Sequence, residues 1–209
     1  MRAARVRTPL GIRVGVVAFA LAVCGWWLAD WHDRKVNEHR LAAIASVIAG
    51  RDVKVHCPGP LSRAFEYQPA EGTVQFDAEG RLADDTQLRK HTCGEMDALA
   101  EGRRTAQLAC VERSSSCGDD AGRLAYAVDT LAHESVHMSG DANEGETECR
   151  SMQLMAWTAA QLGATEAQGR ALAQLQFEVN YPLMGDPYHA AGCADGGALD
   201  MHPDDPRFP

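Results

Sequence analysis

Five consecutive residues carry the strongest chemical signal in this sequence: His133, Glu134, Ser135, Val136 and His137. Two histidines four residues apart project from one face of a helix, one turn apart, so both imidazoles can reach a single metal ion. Imidazole nitrogen suits zinc. Glu134 sits beside the pair, where it can take a proton from an activated water without itself binding the ion. A catalytic zinc site needs three protein ligands and an open position. Further carboxylates follow soon after His137, among them Glu144 and Glu148.

That geometry requires a helix through the motif. Leu124, Val128, Leu131 and Ser135 recur at helical spacing up to Met138, with Asp119 or Asp120 as N-terminal cap and Gly140 as stop. Asp141, Ala142 and Asn143 make a short turn, and a second helix is expected from about Glu144 to Leu162, with Met152, Leu154, Met155, Trp157 and Ala160 as apolar surface. Gly163 and Ala164 break it. Thr165 and Gln168 have the spacing of a capping box that opens a third helix, to about Val179. From Tyr181 onward, prolines and glycines predict coil.

Upstream, Leu41, Ile44, Ala45 and Ile48 predict an amphipathic helix from Asn37 to Ala49, ended by Gly50. Asp52 to Cys57 reads as a short strand stopped by Pro58, Gly59 and Pro60. Thr73 to Phe76 reads as another, with Asp77 to Gly80 as its turn. A polar-apolar stretch starting at Leu82 predicts a helix from about Asp85 to Leu99. The expected fold class is mainly α with minor β (α+β), built around the helix pair that carries the motif.

The third ligand separates two families. In metzincins the motif continues to a glycine and then a third histidine; Gly140 fits, but Asn143 stands where that histidine belongs, and a neutral amide is a poor zinc ligand. Asn143-Glu144 followed by Glu148 resembles the gluzincin metallopeptidases instead. That resemblance covers residues 124 to 153. It implies a zincin-like site in which Glu144 is the third zinc ligand and Glu148 hydrogen-bonds a histidine from behind. The turn between the two helices is far shorter than the family's, which leaves Glu148 as the alternative ligand. The cluster as a whole also resembles a group of small, uncharacterised bacterial peptidases.

Composition places the site. Arg2, Arg5, Arg7 and Arg13 precede 16 uncharged residues, Val14 to Ala29; taking their four charges from the net charge of -9 leaves the rest of the chain at -13. Such an acidic domain argues against nucleic acid as a partner. The expected organisation is a cytoplasmic basic segment (1–13), a transmembrane signal-anchor (14–29) with Trp26, Trp27 and Trp31 as an interfacial belt, a juxtamembrane helix (30–50) and an extracytoplasmic zincin-like metallohydrolase domain (51–209). The alternative is a cleaved signal with Ala20-Leu21-Ala22 at its cleavage site, and a secreted product. Cys24 lies in the apolar run. The other six cysteines are an even set suited to an oxidising compartment, and the simplest pairing is sequential: Cys57–Cys93, Cys110–Cys117 and Cys149–Cys193.

The expected function is a membrane-anchored, zinc-dependent metallopeptidase with a peptide or protein substrate and Glu134 as general base. Two alternatives stand beside it: a hydrolase of another amide, and a binding or scaffold protein in which zinc only joins two helices. An oxyanion would need a further donor besides the ion, for which Tyr181, Tyr188, His189 and His202 in the tail are the candidates. His32, His39, His56 and His91 have no partner pattern and read as surface residues, and Asp195 and Asp200 as turn formers.

Overall fold

Nothing between Leu10 and Ala49 forces a helix to stop. In the computed structural model, which describes residues 10–59, 72–76, 82–114, 116–205 and 208–209, these 40 residues form one helix, α1 (Leu10–Ala49). The boundary expected near residue 30 is absent. Between residues 17 and 31, α1 leaves Val17, Phe19, Leu21, Trp26, Trp27, Leu28 and Trp31 exposed, whereas its C-terminal part buries Leu41, Ile44 and Ala45 in the core. Among the described residues, no helix is long and apolar enough to cross a membrane. The uncharged run falls short of the roughly 20 residues a span requires, and α1 continues directly into Asp30, Asp33, Arg34 and Lys35. The stretch expected as a signal-anchor, residues 14–29, forms the apolar end of this longer helix. Most of the basic segment lies outside the described residues.

Gly50 takes a φ of +66° and ends α1, as its position suggested. Three strands follow: β1 (Lys54–His56), β2 (Gly72–Phe76) and β3 (Leu82–Leu88), in the order β1-β3-β2. β1 runs parallel to β3, pairing Val55 with Thr86, and β2 runs antiparallel to it, pairing Gly72 with Leu88. The first two were expected and β3 was not. Asp84 to Gln87 is polar and has little intrinsic strand preference, so partners on both sides decide its conformation. Thr86 and Leu88 point inward at period two, and Thr86 Oγ1 donates to Thr73 O at 3.0 Å. The helix expected from Asp85 begins only with α2 (Lys90–Ala100). The turn assigned to Asp77–Gly80 lies outside the described residues.

The rest is helical: α3 (Thr105–Val111), α4 (Gly118–Met138), α5 (Glu144–Gln161) and α6 (Glu166–Leu175). Asp119 and Asp120 do not cap α4. Cys117 occupies the cap position without a side-chain capping hydrogen bond, and the two aspartates instead lie in the first turn, where negative charge favours the helix dipole. Asn143 caps α5 by accepting from Glu146 N at 3.0 Å. Thr165 and Gln168 form the expected capping box on α6. This last helix then widens into a π-helical turn, Gln176–Asn180, before short 3-10 turns at Tyr181–Leu183 and Asp186–Tyr188.

α4 is the axis of the fold, packed between α1, α2, α5, α6 and the sheet. Leu124, Val128, Leu131 and Met138 are fully buried along it, each such side chain stabilising the fold by about 1.5–3 kcal/mol. α5 and α6 approach so closely that a Cβ on Gly169 would lie 2.6 Å from Ala156 O. Disulfides Cys57–Cys93, Cys110–Cys117 and Cys149–Cys193 are all formed, the sequential pairing. The first ties β1's end to α2, and the last ties the tail to α5. The result is mainly helical with one small sheet.

Candidate metal centre

His133 and His137 lie in the last two turns of α4, both buried, on the face that looks at the start of α5. The turn between the helices is only Ser139 to Asn143, ending α4 through Gly140 at a φ of +114°. So tight a reversal sets the first residue of α5, Glu144, directly opposite the two rings. Glu144 Oε2 is 3.1 Å from His133 Nε2 and 3.2 Å from His137 Nε2. Ligand atoms held 2.0–2.1 Å from one tetrahedral ion lie about 3.3 Å apart. The three residues can therefore hold a metal ion at their common centre.

The far edges of both rings are also accounted for. His133 Nδ1 donates to Glu148 Oε2 at 2.9 Å, and His137 Nδ1 donates to Asp141 O at 2.7 Å, with Thr147 Oγ1 at 3.4 Å. Acceptors at both Nδ1 positions fix the tautomer that leaves Nε2 free to bind a cation. Glu144 and Glu148, one turn apart on α5, take opposite edges of the His133 ring. Glu148's side chain is 1% exposed and Glu144's 42%. Glu144 thus stands at the open mouth and Glu148 behind, and it is Glu144 that joins the two histidines in a group able to hold a metal ion.

Charge is arranged to match. In the metal-free chain, burial alone lowers the His133 pKa, but hydrogen bonds donated to Glu144 and Glu148, with the nearby charges of Glu148 and Asp129, outweigh it and raise it to about 10. The Glu144 carboxyl is lowered, first by its hydrogen bond to His133. A site this rich in negative charge attracts a cation.

Glu134 is buried on the same helix, and β2 covers it: a Cβ built on Gly72 would come within 2.5 Å of Glu134 Oε1. A strand of the sheet therefore lies directly against the carboxylate.

Of the four tail residues considered as oxyanion donors, Tyr188 reaches the centre, its ring 5.8 Å from that of His133. Burial, then the nearby Glu144, Glu134 and Glu148 carboxylates, raise its pKa and keep the phenol protonated. Tyr181 and His189 pair with each other instead. Their rings meet edge to face at 4.7 Å, and His189 Nε2 donates to Tyr181 O at 2.9 Å. His202 is exposed and its backbone N–H donates to Asp200, so it joins a turn. Asp200 also accepts from Gly196 N. His32, His39, His56 and His91 are exposed, as expected.

Sequence reasoning missed the layer behind the histidines. Asp129, one turn before His133, is buried and accepts from Ser151 Oγ at 2.7 Å and from Gln176 Nε2 at 3.0 Å. Gln176 Nε2 also reaches Glu148 Oε1 at 3.4 Å, and Asn180 Nδ2 donates to Gln176 Oε1 at 2.6 Å. Burial, and then the neighbouring Glu148, raise the Asp129 pKa well above the usual carboxylate range. An acid at i−4 to His133 in an otherwise apolar run was a readable signal for Asp129. Gln176 had none, because the π-helical turn that aims it inward shifts the helical register. Such turns gather at functional sites.

Comparison with known proteins adds no relative: no protein-family model, no curated protein and no solved structure matches the chain. The possible function therefore rests on the chemistry of His133, His137, Glu144 and Glu134.

Proposed function

We propose that the protein is a zinc-dependent peptidase in which His133, His137 and Glu144 hold the ion and Glu134 is the general base. The observation that carries this reading is the convergence of Glu144 Oε2 on both Nε2 atoms while both Nδ1 atoms already have acceptors. Two imidazoles and one carboxylate with an open side suit catalytic zinc. A zinc ion bound there would supply Lewis acidity, polarising a substrate carbonyl and making a neighbouring water more acidic.

The chain's own groups do the rest. Glu134 takes a proton from the attacking water and returns it to the leaving amine. Tyr188, kept as a phenol, donates a hydrogen bond to the oxygen on which negative charge develops. Glu148 holds His133 in one tautomer throughout. The zincin-like resemblance is supported by the roles these positions take, and Glu134 beside Gly72 favours turnover over a purely structural ion, which needs no carboxylate there.

In the same reading the domain works outside the cytoplasm. Three disulfides support this, since such bonds persist in oxidising compartments. The apolar end of α1 is its contact with the membrane, with Trp26, Trp27 and Trp31 exposed at its polar border. The test is cleavage of a peptide library by the zinc-loaded chain, with Glu134→Ala alongside. Cleavage by wild type, reduced at least a hundredfold in the variant, is expected. Equal cleavage by both would rule out Glu134 as the base, and none by either would rule out peptidase activity.

A further inference from the structure

We infer that the cavity beside the metal centre, bounded by Tyr126, Leu175, Val179, Leu183, Met184 and Tyr188, receives a bulky apolar side chain of the substrate peptide. Its identification as a substrate site rests on the peptidase reading; its shape and chemistry do not. The cavity has a volume of about 810 Å³, within the roughly 300–1,000 Å³ of small-ligand sites.

Its position is set by two elements that also build the centre. Tyr188 lines the cavity and also stands 5.8 Å from the His133 ring, so that one side chain borders both spaces. Tyr126 precedes His133 by seven residues, two turns of α4, and therefore shares its face at a rise of about 10 Å. An extended peptide advances about 3.3–3.6 Å per residue. A chain whose reacting carbonyl sits at the centre thus brings a side chain over this cavity within about three residues.

The chemistry is equally directed. The walls are aliphatic and aromatic, and Leu183 is 82% exposed and Val179 42% exposed at the rim, apolar surface that water covers at a cost. The polar lining includes Asn180 and, on the first turns of α4 away from His133, Asp119 and Arg123, the latter paired with Asp120. A small or charged side chain would leave the apolar walls wet. A phenylalanine, leucine or tyrosine side chain covers them, with a gain of about 1.5–3 kcal/mol on full burial.

Gly122 offers a position from which to fill part of the cavity. It lies in the interior of α4 and lines the space, and a Cβ there would meet only Asn180 Oδ1, at an ordinary 3.6 Å. Gly122→Leu also improves helix propensity.

The experiment uses the whole chain with its methyl groups isotopically labelled, titrated with N-acetyl-phenylalanine amide and, separately, N-acetyl-glycine amide while methyl NMR signals are recorded. Saturable shifts of Val179, Leu183 and Met184 with the phenylalanine amide alone, lost in Gly122→Leu, are expected. No shift in these methyls, or equal shifts with both amides, overturns the inference whatever the cleavage assays give. A correct peptidase reading adds a second readout. The ratio of kcat/KM for phenylalanine-containing over alanine-containing peptides should fall at least tenfold in Gly122→Leu, and an unchanged ratio counts against the pocket while leaving the peptidase intact.

Discussion

Gly72 lies so close to Glu134 that a single added methyl group would come within 2.5 Å of its Oε1. Only a glycine fits under this carboxylate while it keeps its place. Gly72→Ala should push the Glu134 side chain aside, since the added methyl group meets that side chain and not backbone. Because a positioned base contributes roughly 10²–10⁴ to rate, a tenfold or larger fall in kcat is expected with zinc content unchanged. Wild-type kcat in a folded Gly72→Ala variant would show that Glu134 does not act from this position.

Glu148 acts through His133. Replacing it with alanine removes the acceptor at 2.9 Å and leaves Nδ1 without its anchor. Zinc affinity should fall about 10–100-fold, read by competition with a chelator. Glu148→Gln, which keeps an acceptor oxygen, should recover part of it. An affinity untouched by Glu148→Ala would contradict its supporting role.

What was legible in the sequence is local. His133 and His137 at i and i+4, the capping box at Thr165 and Gln168, and the stop at Gly140 each depend on neighbours within a turn or two, and each stands as read. Glu144 needed one further fact, the length of the turn before it. Strand β3 was misread because Asp84 to Gln87 gains its conformation from β1 and β2, which flank it. α1 was divided by charge where its backbone has no reason to break. Gly72 and Gln176 could not be found at all: one arrives from a distant strand, the other through a change of helical register.

Protonation sets the terms of metal uptake. In the metal-free chain the His133 pKa lies near 10, above its ordinary 6.5, so its stabilising contacts are complete below 6.5 and are lost as pH rises through about 10. The metal-free chain should therefore melt at progressively lower temperature across that window. Zinc must displace the same proton, so its affinity should rise by about tenfold per pH unit over the same range. A pH-independent affinity would mean that His133 is not a ligand.

The tail that brings Tyr188 to the centre is held by Cys149–Cys193, a bond closing a separation of 44 residues. It is also packed against Gly145, where a Cβ would lie 2.8 Å from His189 O. Replacing both cysteines with alanine should lower stability by up to about 4 kcal/mol by the chain-entropy estimate, measured by denaturant unfolding. Loss of activity below the unfolding transition should accompany it as Tyr188 leaves His133. Gly145→Ala should reproduce the loss of activity with the disulfide intact; full activity in that variant would show that the tail's close docking is dispensable.

The bound ion is the central test. X-ray absorption at the zinc edge on the purified, stoichiometrically loaded chain should report nitrogen and oxygen neighbours at about 2.0–2.1 Å, including two imidazoles, one of which disappears in His137→Ala. A chain that takes up no stoichiometric zinc, or one whose spectrum shows sulfur ligands or no imidazole, would contradict the centre built from His133, His137 and Glu144.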